Sequence, residues 1–303
     1  MKVPVLVVFF NRPNSVLELV SSLSKVKPKK VYLACDGPRE TVPGEHLVVK
    51  NLRARVLSLI DWDCEVFTYF MDHNIGCKYN VSSAVSWFFQ NEDKGIVLED
   101  DCIPVRNFFE FAEKMLDFYE NDFRVGAICG RNEVADTYRC CNSYFFSRKF
   151  FCWGWASWSS RVLDNDVELG HHEVPVGVFH NLSWKERLML KGMIGLIKSK
   201  FVNSWAYPFD LSFRNKGQLC LIPGYNLVKN IGFDTIGAHS RVGAKDTLPV
   251  WEGIVIAPND NVAVYSDNQF MSALIEKRFP SILKLVLFSM ARYVAPIKKR
   301  LGI

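Results

Sequence analysis

Three carboxylates in a row, Glu99-Asp100-Asp101, follow a short apolar run at residues 95–98. Like charges this close repel, and burial strips them of water, so the triplet needs a compensating cation. A divalent metal is the simplest one, because Mg2+ and Mn2+ take hard oxygen ligands and keep positions open for phosphate oxygens. A solvated acidic loop is the plain alternative; a position at the end of a strand favours a site. Two further polar pairs follow apolar runs in the same way, Asn11-Arg12 and Asp36-Gly37. An arginine there can pair with a diphosphate, or sit on the surface at a helix start. The aspartate can accept hydrogen bonds from a base or a ribose, or form a turn before its glycine.

These groups converge only if the elements ahead of them share one sheet. Residues 5–10 form a continuous apolar run, as in a strand buried on both faces. Val16, Leu19, Val20 and Leu23 then recur at helical spacing behind Pro13. The alternation continues with strands at 30–35, 64–70 and 95–98 and helices at 45–60 and 81–89. Strand and helix in strict alternation predict an α/β fold with a mostly parallel sheet and right-handed crossovers. In such sheets ligands bind at the carboxyl ends of the strands, where all three polar groups stand. Beyond Cys102 the pattern becomes irregular: a Phe-rich helix at 107–119, strands at 124–129, 144–147 and 217–222, and helices at 182–197 and 205–213. The chain therefore divides into a half at 1–102, a second half of the same domain at 103–266, and a basic helical tail at 267–303.

Composition narrows the function classes. Hydrophobic residues make up 49% of the 303, enough for a large core and against disorder. The net charge is +5, but seven basic residues and no acid fall between 277 and 303, so the remainder carries −2. A body of that charge argues against nucleic-acid binding. Nine cysteines without a C-x-x-C pair read as free thiols of a reducing compartment, and their spacings do not suit zinc. No G-x-x-x-x-G-K-[ST] occurs, and no G-x-G-x-x-G follows the first strand, which disfavours P-loop and dinucleotide enzymes. The N-terminal apolar run is too short to span a bilayer and has no cleavage site, so the expected setting is cytoplasmic.

The motifs form an ordered series over residues 3–240. Val5 to Arg12 and Asp36 come first, then Ile96-Val97-Leu98-Glu99-Asp100-Asp101 with Asn107-Phe108-Phe109 and Gly130-Arg131-Asn132-Glu133. Next come Arg148 to Trp155, ending in Trp153-Gly154-Trp155, and Trp205-Ala206-Tyr207-Pro208-Phe209-Asp210. Ile222-Pro223-Gly224-Tyr225-Asn226 and Gly237-Ala238-His239-Ser240 close it. This series resembles the GT-A-fold glycosyltransferases. More narrowly, it is similar to the inverting N-acetylglucosaminyltransferases with an E-D-D motif and to their bacterial relatives. The resemblance implies a UDP-sugar donor and Mn2+ or Mg2+ as cofactor. Asp101 would ligate the metal, Glu99 and Asp100 would hold the donor sugar and ribose, Asp36 would read the base, and Arg12 would contact the diphosphate. Asp210 would be the general base on the acceptor hydroxyl, although its Phe-Asp-Leu-Ser setting is less acidic than the family's tryptophan-flanked segment. His239 and Ser240 would touch the phosphates or the metal, and Trp153 and Trp155 would wall the sugar, the alternative being a core cluster. His73-Asn74-Ile75-Gly76 reads as a turn with Lys78 nearby, and His171-His172 as a solvated loop.

The acceptor implied is a glycan, lipid-linked or part of a surface polysaccharide. A sugar nucleotidylyltransferase would need a Gly-rich first loop, which Asn11-Arg12-Pro13 is not. A sugar-binding relative without catalysis has no need of the intact triplet. The tail at 281–300 places Ile282, Leu283, Val286, Leu287, Met290, Tyr293 and Val294 on one broad helical face and ends in Lys298-Lys299-Arg300. That pattern, with no acid to offset the charge, favours peripheral contact with a membrane over a helix packed on the domain.

Overall fold

The computed structural model describes residues 1–140, 142–164, 176–232, 246–253, 256–290 and 293. Expectations for His171-His172, for His239 and Ser240, and for most of 291–303 lie outside these residues.

The first four strands are β1 (Val5–Phe9), β2 (Lys30–Cys35), β3 (Glu65–Phe70) and β4 (Lys94–Glu99), joined by helices α1 (Pro13–Ser24), α2 (Glu45–Leu59) and α3 (Cys77–Asn91). After them come β5 (Cys102–Pro104), α4 (Arg106–Phe118), β6 (Val125–Cys129), β7 (Tyr144–Ser147), β8 (Trp155–Trp158) and α5 (Ser159–Val162). The remainder is α6 (Trp184–Lys198), α7 (Ala206–Asn215), β9 (Leu219–Pro223), β10 (Val228–Asn230), α8 (Asn268–Arg278) and α9 (Ile282–Ser289). Eight strands make one sheet in the order β3-β2-β1-β4-β8-β6-β9-β7, while β5 and β10 pair separately. β1 to β4 are mutually parallel. β8 lies antiparallel to both β4 and β6, so β6 and its parallel neighbour β9 run in the same direction as β1 to β4. The sheet thus takes strands from both sides of Cys102 and is the mostly parallel α/β sheet expected.

Alternation along β1 explains the layering. Val5, Val7 and Phe9 face one core, shared with Val16 and Leu19 of α1, Val49 of α2 and Phe108 of α4. Leu6 and Val8 face the other, shared with Val85 of α3, Phe209 of α7 and Phe270 of α8. Both faces being covered, the strand needs apolar residues at every position.

Two elements of the fold differ from expectation. The Trp153–Trp158 stretch does not form a wall: Trp155, Ala156, Ser157 and Trp158 are all buried in β8, a central strand. Gly154 sits at φ +67°, and a Cβ there would lie 2.7 Å from Val228 Cγ2, so close packing demands the glycine rather than access for a ligand. At the C-terminus, α8 is an integral element that buries Phe270, Met271, Leu274 and Ile275 behind an Asp267 cap. Two of the seven tail cations are spent on it: Lys277 bonds Asp136, and Arg278 grips Glu133 through two nitrogens. Among the described residues no helix is long and apolar enough to cross a membrane, and the eight described cysteines are free thiols.

Candidate functional site

β1 pairs with β2 on one side and β4 on the other, so the connections leaving the carboxyl ends of β1 and β4 run in opposite directions and open a crevice between them. Glu99 ends β4 opposite Val8 of β1. The Asp100 N–H donates to the Val8 carbonyl at 2.9 Å, and its carboxylate accepts from the Phe10 N–H at 3.3 Å. Arg12, one turn past β1, sends Nη1 to Asp100 Oδ1 at 3.2 Å and to Asp101 Oδ2 at 2.9 Å. On the opposite side the Asp101 carbonyl accepts from the Ile231 N–H at 2.9 Å, behind the β5–β10 pair. A Cβ on Gly232 would meet Asp101 Oδ2 at 2.3 Å, so that segment lies directly on the carboxylate. Glu99 Oε2 accepts from Trp205 Nε1 at 3.3 Å, just before α7.

The charge at this point is unbalanced. Loss of water and the neighbouring carboxylates hold Glu99 well above the usual carboxylate range. Asp100 is raised by loss of water too, partly offset by Arg12. The Arg12 guanidinium is held charged by Asp100 and Asp101 against its own desolvation. Among the described residues, these three carboxylates thus share one guanidinium, that of Arg12.

Asp36, at the end of β2, is buried and fully engaged. It accepts from the N–H groups of Gly37, Ile75 and Gly76 at 2.9, 2.9 and 3.0 Å and from Asn74 Nδ2 at 3.0 Å. A carboxylate has about four acceptor positions, so none is left for a base. Gly37 lies against the His73 backbone, where a Cβ would approach within 2.3 Å. The Asp-Gly pair therefore clamps the Asn74-Ile75-Gly76 turn at the start of α3 onto the edge of the crevice. Positioning that turn takes the place of the direct base contact expected of Asp36.

Asp210 is likewise built into the framework. It lies 1% exposed in α7. Oδ1 accepts from Lys149 Nζ at 2.9 Å and the Phe150 N–H at 2.8 Å, and Oδ2 from Arg214 Nε at 2.9 Å. Arg214 also reaches Glu186, which Arg148 grips in turn. Lys149 and Arg214 hold the Asp210 carboxyl below its usual value despite its burial. A buried carboxylate with both oxygens bonded and a lowered pKa is a poor proton acceptor, which corrects the general-base expectation.

Trp155 is fully buried against Phe150 and Trp205, with centroids 5.1 and 6.2 Å away, and leaves the expected sugar wall. Trp153 stays half-buried beneath the Arg131 guanidinium at 5.1 Å. Arg131 makes a bidentate pair with Asp246 at 2.8 and 2.5 Å, and Asp246 also accepts from the Asn230 N–H at 3.1 Å. Sequence reasoning quoted Gly130-Arg131-Asn132-Glu133 without giving Arg131 a task, and it missed the bond from Trp205 to Glu99. Both residues stood inside motifs of the ordered series, which was the available signal.

No family model matches the chain, and no curated protein matches it. Among solved structures, mannosyltransferase PcManGT from Pyrobaculum calidifontis, in complex with GDP-Man and Mn2+, is 13% identical and covers 72% of this chain and 70% of its own, at a TM-score of 0.40. HddC from Yersinia pseudotuberculosis is 9% identical and covers 54% of this chain and 79% of its own, at TM-scores of 0.32 and, in complex with GMP-PN, 0.33. At these scores the likeness is a partial overlap of chain paths.

Proposed function

We propose that this chain is a GT-A-type glycosyltransferase that moves a sugar from a UDP-sugar to a hydroxyl of a lipid-linked or surface glycan, by a single displacement with inversion. One observation carries the reading: Glu99, Asp100 and Asp101 stand together at the reversal point of a parallel sheet, with Arg12 the one guanidinium paired to them among the described residues. Their hard oxygens suit Mn2+ or Mg2+. Among the described residues no three His, Cys, Asp or Glu could hold a metal by themselves. A cation here would be held by Asp101, with His239, which lies outside the described residues, as a further candidate. When bound it supplies charge against the departing diphosphate.

The chain's own residues do the rest. Glu99, steadied by Trp205, and Asp100, fixed by the Phe10 N–H, are placed to accept bonds from donor hydroxyls. The Asp36 clamp orients the turn at the start of α3, whose first N–H groups favour anionic phosphate. Arg12 holds the carboxylates until a diphosphate offers it a better partner.

Melting the protein with a panel of UDP-sugars, with and without Mn2+, tests the reading. Stabilisation should require metal and reach about 2.7 kcal/mol at a ligand concentration of about 100 times Kd. No stabilisation by any UDP-sugar with Mn2+ would sink it, and pyrophosphate release from UTP plus a sugar phosphate would favour the nucleotidylyltransferase instead. Arg12→Gln should separate the two roles of Arg12. Without a competing guanidinium, calorimetry should show Mn2+ binding about tenfold tighter in the absence of nucleotide, and UDP binding about tenfold weaker in its presence. Equal weakening of both would make Arg12 a simple scaffold.

A further inference from the structure

The C-terminal helix shows a feature that the reaction does not use. α9 packs on α6 through Leu285, Phe288 and Ser289: Leu285 and Ser289 are buried, and a Cβ on Gly192 of α6 would clash with Phe288 at 2.5 Å. Its opposite side is also apolar and faces outward, with Ile282 59%, Leu283 68%, Leu287 59% and Met290 46% exposed. With one side on the protein, the other leaves these four apolar side chains uncovered among the described residues.

Charge identifies what covers it. Beside the Gly192 groove, α6 presents Trp184, Arg187, Lys191 and Lys198, all exposed and at helical spacing. Its one acid, Glu186, is buried under Arg148 and Arg214. Glu276 of α8 is paired with Lys185 at 3.2 Å. Residues 279–303 contain no acid, and after Lys284 they add Arg292, Lys298, Lys299 and Arg300. Apolar side chains flanked by cations match the boundary of an anionic bilayer, where apolar groups enter and cations meet the headgroups.

We infer that the face formed by α6 and α9 docks the enzyme on anionic lipid. This inference is independent of the donor chemistry. Deleting residues 281–303 would uncover the Gly192 groove and destabilise the domain, so outward substitutions are required.

The experiment is sedimentation with vesicles of phosphatidylcholine alone or mixed with phosphatidylglycerol, at low salt and at about 1 M, where the screening length falls to about 3 Å. The full chain should bind the mixed vesicles at low salt, bind neutral ones far less, and lose most affinity at high salt. Leu283→Asp with Leu287→Asp should reduce binding more than about a hundredfold. Lys191→Glu with Lys198→Glu should reduce it by about 25-fold or more, since each basic residue contributes about fivefold at low salt. Both double variants should keep the wild-type melting temperature, because these side chains point away from the core. Three results would overturn the proposal: no binding of the full chain to mixed vesicles at low salt, equal binding to neutral vesicles, or a stable dimer in ultracentrifugation that the leucine variant dissolves.

Discussion

Asp101→Asn is expected to lower metal-dependent turnover by about a thousandfold or more while leaving the melting temperature within a degree or two of wild type. The carboxylate is the one placed between Arg12 and the Gly232 backbone, where it can meet both a cation and a substrate phosphate. On the proposed reading, loss of its charge would remove the direct hold on the cation, and with it several kcal/mol of stabilisation of the departing diphosphate. The fold should not suffer, because the side chain is 20% exposed and its removal relieves repulsion from Glu99 and Asp100. Donor hydrolysis across a Mn2+ titration, together with a melting curve, measures both. Wild-type turnover at limiting Mn2+ would place the cation elsewhere.

Asp210→Asn should do the reverse: a fold weakened by about 3–5 kcal/mol at neutral pH, with turnover per folded molecule near wild type. The amide keeps the shape but leaves Lys149 buried without its counter-charge and takes one of two carboxylates from Arg214. The pH dependence has a definite sign. The folded pKa of Asp210 is lowered, so its contribution is complete above the unfolded value of about 3.9 and is lost as pH falls through the folded value. Denaturant melts should show a constant gap between wild type and variant from neutral pH down to about pH 5, closing in stronger acid. A variant of full stability whose turnover is down by about 10²–10⁴ would restore Asp210 as the general base.

These two aspartates show where reading a single sequence stops. The core strands were legible because a strand buried on both faces writes itself as an apolar run, and β1, β2 and β4 lie within a residue or two of those runs. Arg12 and the triplet were legible for the same reason: the end of a strand is a local property, and the sheet brings such ends together. Asp210 was not, because its meaning depends on Lys149, 61 residues earlier, which no local spacing connects to it. Asp36 depends on donors 38 to 40 residues onward, and Glu99 on Trp205, 106 residues away. The tryptophans misled for a different reason. An aromatic cluster around a glycine reads alike as a ligand wall or as a core strand, and only the +67° φ of Gly154 and the Val228 methyl behind it decide.

The reversed strand β8 has a bearing on how the chain is made. It is the partner that closes the inner edge of β4, yet it lies about sixty residues downstream. During synthesis at roughly 5–20 residues per second, β1 to β4 emerge several seconds before that partner exists. For that interval Ile96 and Val97 present bare main-chain donors and acceptors on an apolar edge, the kind of surface that recruits foreign strands. The half ending at Cys102 is for this reason no separable module. Severed there, it would keep the acidic triplet and Arg12 but carry an open seam along β4, and its natural fate would be aggregation rather than nucleotide binding.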